Sequence, residues 1–536
     1  MSLKPKPPRP MPEELAVWGA KHLPADSPFR LVGDKLYEQY SEADYVDLYH
    51  AEGKPGHSPV DLSFVTVFQH MEKLSDRQAA EAVRTRLDWK YALHLPVDDP
   101  GFHYSVLSEF RDRTIRHQAE GRLFDSILQQ LGALGLVKRR GRQRSDSLAM
   151  LTKVRDLTRL EQVVETLRLA LQAVLKTDPD WTRKTVPPTW EESYGVRCVA
   201  GKLSKAERQA LSARVGPDGQ WLLERLQAEA TPPVLSILPA VEVLRIVWQQ
   251  QFEAVSGELV FQERDSYDGK TYIVTPHDPE ARYSKKGQQA WVGDKLQVTE
   301  TDDEGLPHLI TDIAVTSSVE TDYEALDTIQ ERLEVRGLLP GEQIVDGGYV
   351  NEDNLVSSTG RGIDLIGPVQ KDTTKQARIP GGITLDQFQV DLEACTAFCP
   401  GGQQARIGTR RGKRIRFRFP KAACAACPLR PRCCTGKGGR SLSLGRHYAV
   451  LQAARARQET EAFKKHYRQH RGGVEGCLSS LVRGHSIRVG RYVGRAKRHL
   501  QALFTGVAAN LRRAARWLAG VRPQAKRHGL RLVLTA

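Results

Sequence analysis

The 536-residue chain predicts an α/β fold: a mixed sheet with flanking helices, interrupted by insertions and preceded by an all-helical N-terminal segment. Three observations predict it. Residues 12–22, 60–95 and 103–135 carry helical periodicity and helix-start signals. Two alternating runs, AWVGDKLQVTET at 290–301 and HLITDIAVTSS at 308–318, flank the turn DDEGLP and read as a hairpin. A helix at 325–340, stopped by Gly and Pro, is followed by short apolar strands at 342–350 (EQIVDGGYV) and 362–370 (GIDLIGPVQ). That order of hairpin, helix and strand belongs to a sheet of mixed direction.

In chain order, the basic, Pro-rich arm MSLKPKPPRPMPEE lacks an apolar segment and is not a secretory signal. A short helix opens at Pro12 with acids in its first turn. Residues 60–95 predict two or three helices, with Phe64, Phe68 and Met71 on one face. Ser75-Asp76 caps the next segment, whose inner stripe is Ala79, Ala82 and Val83. The basic stretch VKRRGRQRSDSLAML (137–151) leads into a helical region at 153–255, broken by a Pro/Trp-rich loop near 180–195. Residues 385–445 form a Gly- and Arg-rich block with six of the eight cysteines. Strong helices are expected at 446–470 and 491–519, and there is no internal repeat.

Charge is distributed unevenly. Residues 401–536 hold 32 Lys and Arg against three Asp and Glu. Self-repulsion on that scale calls for a polyanion, and nucleic acid is the natural one. No apolar run reaches membrane-spanning length. The expectation is a soluble, cytoplasmic, nucleoid-associated protein, with cysteines as thiols or metal ligands rather than disulfides. There is no P-loop, dinucleotide fingerprint or H-E-x-x-H spacing, which argues against an ATP-driven motor.

Three carboxylates lie where separate elements could bring them together: Asp146 in RSDSLAML, Asp346 in IVDGGY, and Glu475 in RGGVEGCLSSLVRG. The last reads as a short helix with Val474, Leu478 and Leu481 inward. Phosphodiester chemistry needs such convergence, because two divalent cations must bridge the attacking and leaving oxygens, and hard oxygen ligands suit Mg²⁺ or Mn²⁺. Taken alone, an aspartate before Gly347-Gly348 is a turn cap.

The string D-G-G-Y-V after an apolar strand resembles the second-Asp box of bacterial insertion-sequence DDE transposases. R-x-x-x-E-G-x-x-S-x-x-V-R-G, from Arg471 to Gly484, resembles their C-terminal Glu box. Arg-Tyr-x-Gly-x-x-Lys at 491–497 and Ala-Ala-Asn-Leu-x-Arg at 508–513 are similar to the closing helix, and 278–286 to the stretch entering the hairpin. His57 to Arg113 is similar to the helical domain in front. The resemblance implies an RNase H-like core, with Asp146, Asp346 and Glu475 as its metal-binding catalytic triad. It implies end cleavage and strand transfer on double-stranded DNA by a two-metal mechanism, by a homodimer in the active complex. Arg471, Arg491 and Lys497 would contact phosphate, joined by Arg414 and Arg416 of a basic finger spanning Arg406–Arg418. The implied domains are 1–135 (helical, DNA-binding), 136–385 (core, first part, with a helical insert at about 153–260), 386–445 (Cys-rich insert) and 446–536 (core, last part, with basic C-terminal helices). This chain departs from the pattern in several places. Its first box reads Asp-Ser-Leu-Ala rather than Asp-Ser-Thr-His, Asp294 stands where Tyr is usual, and Tyr467 and Arg483 sit one residue off the usual spacing. Asp278 is a rival first carboxylate.

Within CTAFCPGG (395–402) and CAACPLRPRCC (424–434), a C-x₂-C with a further pair predicts structural Zn²⁺ on Cys399, Cys424, Cys427 and Cys433, with Cys434 or Cys395 as substitutes. Cys198 and Cys477 are expected to be packing residues. Two other readings remain: a non-catalytic DNA-binding protein derived from a transposase, and a zinc-ribbon nuclease.

Overall fold

The computed structural model describes residues 1–522 apart from 156, 263–267, 373, 413, 435 and 437. Side chains at 406–411 also lie outside the description, and with them the first half of the expected basic finger. Helices α1 (Pro59–Glu72) and α2 (Asp76–Thr85) precede strand β1 (Arg142–Leu151) and helix α3 (Arg159–Thr177). Strands β2 (Arg282–Lys286), β3 (Gln289–Thr301) and β4 (Ile310–Ser317) follow. Then come α4 (Asp322–Val335), β5 (Glu342–Ile344), α5 (Glu352–Gly360) and β6 (Asp364–Ile366). Strands β7 (Gln389–Asp391), β8 (Thr396–Phe398), β9 (Arg406–Arg411), β10 (Arg414–Arg418) and β11 (Ser441–Gly445) build the Cys-rich block. Helices α6 (Tyr448–Glu459), α7 (Glu461–His485) and α8 (Arg495–Leu518) complete the described chain. The fold is mixed α/β, as expected. No helix of the described residues is long and apolar enough to cross a membrane.

The chain divides into two compact units. The first comprises Met1–Lys138, Ser147–Glu320 and the chain from Gly476 onward; the second comprises Arg139–Asp146 and Thr321–Glu475.

In the first unit, α1 starts at the Ser58 cap with Pro59 in its first turn and stops at Lys73, which adopts a left-handed conformation. Val60, Leu62, Phe64, Val65, Val67, Phe68 and Met71 are all buried, as are the polar Ser63, Thr66, Gln69 and His70, so the helix serves as a core element. Ser75 and Gln78 form a reciprocal capping box on α2, and Ala79, Ala82 and Val83 are its buried stripe, as read from the sequence. Residues 159–251 wrap helices around a separate core of Val163, Leu167, Leu222, Leu244 and Trp248. A short hairpin, Phe252–Val255 with Glu258–Phe261, follows them. The expected long hairpin is present: β3 pairs antiparallel with β4, and β2 pairs with β3. Helix α8 packs on β4 and α1. Its Asn510 donates to the Ile310 carbonyl at 2.8 Å and accepts from the Ile310 N–H at 2.7 Å, standing in for a neighbouring strand.

Deep in this unit, Arg498 of α8 is fully buried between two fully buried carboxylates. Its Nε donates to Asp294 at 2.6 Å and a terminal nitrogen to Asp278 at 2.5 Å, while Thr152 donates to Asp278 at 2.7 Å. Asp278, the rival first carboxylate, therefore belongs to an internal ion network. The Asp that stands where Tyr is usual, Asp294, is the other half of it. Arg513 similarly pairs with buried Glu300 at 2.8 Å.

In the second unit, the first half of β1 pairs in parallel with β5, and β5 with β6. Helix α4, capped by a Thr321–Glu324 box, packs Ala325, Leu326, Ile329 and Leu333 against Val345, Tyr349, Leu365 and Val369. Tyr349 is thus a packing residue over its turn. A buried polar chain crosses this layer. Gln343 of β5 donates to Ser145 at 2.9 Å, and Gln330 of α4 donates to Gln343 at 2.9 Å and to Ser358 at 2.8 Å. The Cys-rich block has an apolar core of its own, Phe388, Ala397, Phe417, Phe419, Leu442 and Leu444. Helix α7 runs for 25 residues, where a short helix was expected.

Asp294→Ala strands the buried Arg498 charge and is expected to cost about 3–5 kcal/mol of stability. Lys497→Ala, at the half-exposed 2.8 Å pair with Asp112, is expected to cost under about 1 kcal/mol. Urea denaturation of the two variants checks the contrast.

Candidate functional site at the ends of two parallel strands

Register places the first two carboxylates. Arg142, Gln143 and Arg144 of β1 face Glu342, Gln343 and Ile344 of β5. Asp146 and Asp346 each follow the last paired residues, Arg144 and Ile344, by two positions, and both act on Arg471 and Tyr467. The Ser145–Gln343 hydrogen bond pins that register from the opposite face, because a one-residue slip would invert every side chain. Asp146 is 7% exposed and Asp346 is half-buried.

Asp346 Oδ1 accepts from the Gly348 N–H at 2.8 Å, so the turn-cap reading of this residue is true of its local geometry. Gly347 is required by space. A β-carbon there would lie 2.9 Å from the Pro368 carbonyl oxygen. One at Gly348 would fall 2.9 Å from Asp346 Oδ1 and 3.2 Å from Asp322 Oδ2. Asp322, at the start of α4, is therefore a further acid near this turn, and the sequence reading did not single it out.

The N-terminal half of α7 lies along the same face. Glu342 accepts from Arg142 at 2.8 Å and meets His466 Nε2 at 2.6 Å. Arg144 donates to the His470 carbonyl at 3.1 Å, with its guanidinium over Gly473, where a β-carbon would come within 1.9 Å. Next along the helix, Arg471 donates to Asp146 Oδ2 at 2.7 Å, with the two side chains 14% and 10% exposed. Burial lowers the Arg471 pKa, but Asp146, Tyr467 and Asp346 outweigh it, and the guanidinium is held above its ordinary value. Burial also pushes the Tyr467 phenol up; Arg471 pulls it down, and Asp346 and Asp146 push it up again. Arg471 and Tyr467 thus both lie in the field of the two strand-end acids.

Glu475 follows Arg471 by one helical turn, which places both on one side of α7. It is exposed and has no hydrogen-bond or ion-pair partner among the described residues, while its neighbour Val474 is fully buried. Among the described residues, no three His, Cys, Asp or Glu side chains are grouped closely enough to hold a metal ion. Asp146 meets the Arg471 guanidinium instead of a third carboxylate.

Of the remaining expected DNA contacts, Arg491 lies 3.7 Å from Asp76, and Lys497 pairs with Asp112. Arg414 reaches Ser443 at 3.1 Å, and Arg416 is exposed on β10.

All eight cysteines are free thiols. Cys399, Cys424, Cys427, Cys433 and Cys434 line one small apolar cavity with Phe419 and Leu429. Cys399 Sγ accepts from the Gln403 N–H at 3.4 Å, and Cys424 Sγ accepts from the Arg440 N–H at 3.5 Å. Burial raises the Cys433 thiol, Arg440 lowers it, and Cys434, Cys424 and Cys399 raise it further. Cys434 is turned to the Gly436 carbonyl and Cys395 to that of Leu392.

Residues 398–515 match the family model for the Transposase DDE domain, and residues 19–113 match that for a Transposase domain (DUF772). The first match includes Arg471 and Glu475; neither reaches Asp146 or Asp346. No curated protein and no solved structure matches the chain.

Arg471→Met removes the 2.7 Å ion pair with Asp146 and is expected to cost about 1–3 kcal/mol. Adding Asp146→Asn should restore most of that, and a double-mutant cycle by thermal denaturation measures the coupling.

Proposed function

We propose that this chain is an insertion-sequence DDE transposase that binds element ends and catalyses DNA cleavage and strand transfer through Asp146, Asp346 and Glu475; the matches to two transposase domain models support the family. The observation that supports it best is the parallel pairing of β1 with β5, two residues beyond which each chain carries an aspartate, Asp146 and Asp346. The proposed core is RNase H-like, running from residue 136 to 385 and resuming at 446. Residues 1–135 are the proposed helical DNA-binding part, with two copies of the chain acting together on double-stranded DNA at the nucleoid.

The donor set suits a hard divalent cation: carboxylate oxygens only, open to one side at Glu475. Mg²⁺ or Mn²⁺ held by Asp146, Asp346 and Glu475 would activate the attacking hydroxyl and stabilise the leaving oxygen. The protein's own groups position the reaction. The Gly348 N–H orients the Asp346 carboxylate. Arg471 offsets the repulsion of two adjacent carboxylates and carries a terminal nitrogen that is buried without a hydrogen-bond partner, a donor suited to a phosphate oxygen. Arg491, Lys497, Arg414 and Arg416 are proposed duplex contacts. Their present partners are half-exposed or neutral, so exchange for phosphate loses little.

In the Cys-rich block, we assign structural Zn²⁺ to Cys399, Cys424, Cys427 and Cys433. The backbone N–H groups aimed at Cys399 and Cys424 suit thiolates, and Cys434 is turned toward a carbonyl.

Mg²⁺-dependent nicking of a duplex carrying the element's own end tests the mechanism. Wild type should cut at the boundary. Asp346→Asn should bind equally but cut at least about 1,000-fold more slowly, a loss of about 4 kcal/mol. Equal binding with no cutting by wild type in Mg²⁺ or Mn²⁺ would favour the non-catalytic DNA-binding reading. Cutting by the variant at the wild-type rate would reduce Asp346 to its turn-capping role. For the zinc assignment, metal analysis of the purified protein should give one zinc per chain, with loss in Cys427→Ser; a zinc-free wild type sinks it.

A further inference from the structure

A closed circuit of hydrogen bonds joins α7 to β1 and β5. His466 of α7 meets Glu342 of β5 through Nε2 at 2.6 Å, and the same carboxylate oxygen accepts from Arg142 Nε of β1 at 2.8 Å. A terminal nitrogen of Arg142 lies 3.2 Å from His470 Nδ1, which returns the circuit to α7. The two imidazoles close it, with centroids 4.7 Å apart. A guanidinium only donates. His470 therefore accepts through Nδ1, carries its proton on Nε2 and is neutral in this arrangement. Arg144 adds a second tie from β1, since it donates to the His470 carbonyl at 3.1 Å and lies over Gly473. From the outer side, Arg457 of α6, paired with Asp364 of β6, lies in the field of Glu342.

Positions 466, 470 and 473 follow one another at helical spacing and form one ridge of α7; Tyr467, Arg471 and Glu475 form the ridge beside it. The circuit thus fixes the helix about its own axis, as the Ser145–Gln343 bond fixes the strands. A turn of one residue would swing Arg471 roughly 100° away from Asp146. We propose that neutral His470 is a positioning residue that aims Arg471 and Glu475 at the strand-end acids, and that a proton on His470 undoes the aim. An imidazolium carries N–H on both nitrogens, so Nδ1 no longer accepts, and a second cation then stands against Arg142 with Arg144 close by. Histidine changes charge between about pH 5 and 8. The circuit is complete at the alkaline end of that range and broken at the acid end. His466 differs, because it still donates to Glu342 when protonated. The effect on DNA cleavage rests on the reading above; the circuit itself does not.

The test uses the full chain and two readouts. The first needs no DNA. Thermal denaturation compares wild type with His470→Asn, whose amide oxygen can accept from Arg142 but takes up no proton, at about pH 8 and about pH 5.5. Wild type should lose about 2–4 °C against the Asn variant on acidification, and that loss should vanish when both carry Arg142→Met. The second readout is Mg²⁺-dependent nicking of the element-end duplex. His470→Leu should be about 10- to 100-fold slower than wild type at about pH 8, the range for losing one hydrogen bond to a charged group. His470→Asn should restore the rate, and wild type should fall behind it by a similar factor at about pH 5.5. A Tm difference between wild type and His470→Asn that is the same at both pH values, or that survives Arg142→Met, overturns the circuit. A pH-dependent Tm difference without a matching change in nicking reduces it to a structural contact and overturns the positioning role. No nicking by any of these proteins in Mg²⁺ or Mn²⁺ overturns the cleavage reading and the positioning role with it, while the first readout still decides the circuit.

Discussion

Buried arginines held by buried carboxylates are the constraint on which this structure depends. A chain this basic cannot leave all its guanidinium groups in water without strong self-repulsion. Some are used internally. Arg498 ties the closing helix to the approach to β2 and to the long hairpin through Asp278 and Asp294, and Arg513 ties the same helix to Glu300. In the other unit, Arg471 does the same for β1 and α7 through Asp146, and the part-exposed Arg142 pairs with Glu342 between β1 and β5. Each pair is stabilising only while both partners are present, since a lone buried charge is far more costly than the pair is favourable. These contacts therefore select one arrangement more than they deepen it.

The candidate site follows from the same logic. Along β1, Arg142, Arg144 and Asp146 share one face, and α7 meets all three: His470 and Gly473 for the first two, Arg471 for the third. The glycine-rich start of the Glu box has a steric reason here, because the Arg144 guanidinium lies where a Gly473 side chain would be. Asp346 serves as turn cap and as candidate ligand at once. A carboxylate with one oxygen held by a backbone N–H keeps the other available in a fixed direction.

Legibility in the sequence was divided by range. Local signals were read well: the caps at Ser58 and Ser75, the long hairpin, and the strand before Gly347-Gly348. Helix α7 was read too short, because Gly472, Gly473, Gly476 and Gly484 lower intrinsic helix propensity and tertiary packing overrides it. The core of the Cys-rich block is not legible in the sequence. Its apolar residues are scattered among Gly and Arg, and converge only when β9, β10 and β11 pair. Contacts between distant segments, such as Ser145–Gln343–Gln330 and Arg471–Asp146, leave no periodic trace. Neither does the proximity of Asp322 to Gly348. Asp278 looked like a ligand because acid type was visible and its buried partner, Arg498, was not.

Strand pairing, not the intervening chain, brings the segments of Asp146 and Asp346 together. Arg142 and Glu342 are paired although 200 positions apart, and the residues between them include a helical segment with a core of its own. The strands at 282–317 in that interval belong to the sheet itself, so only the helical segment, closed on its own core, stands apart from the pairing. Relatives with helical segments of very different size could then share one strand pairing, and separation along the chain would be a poor guide to kinship among them.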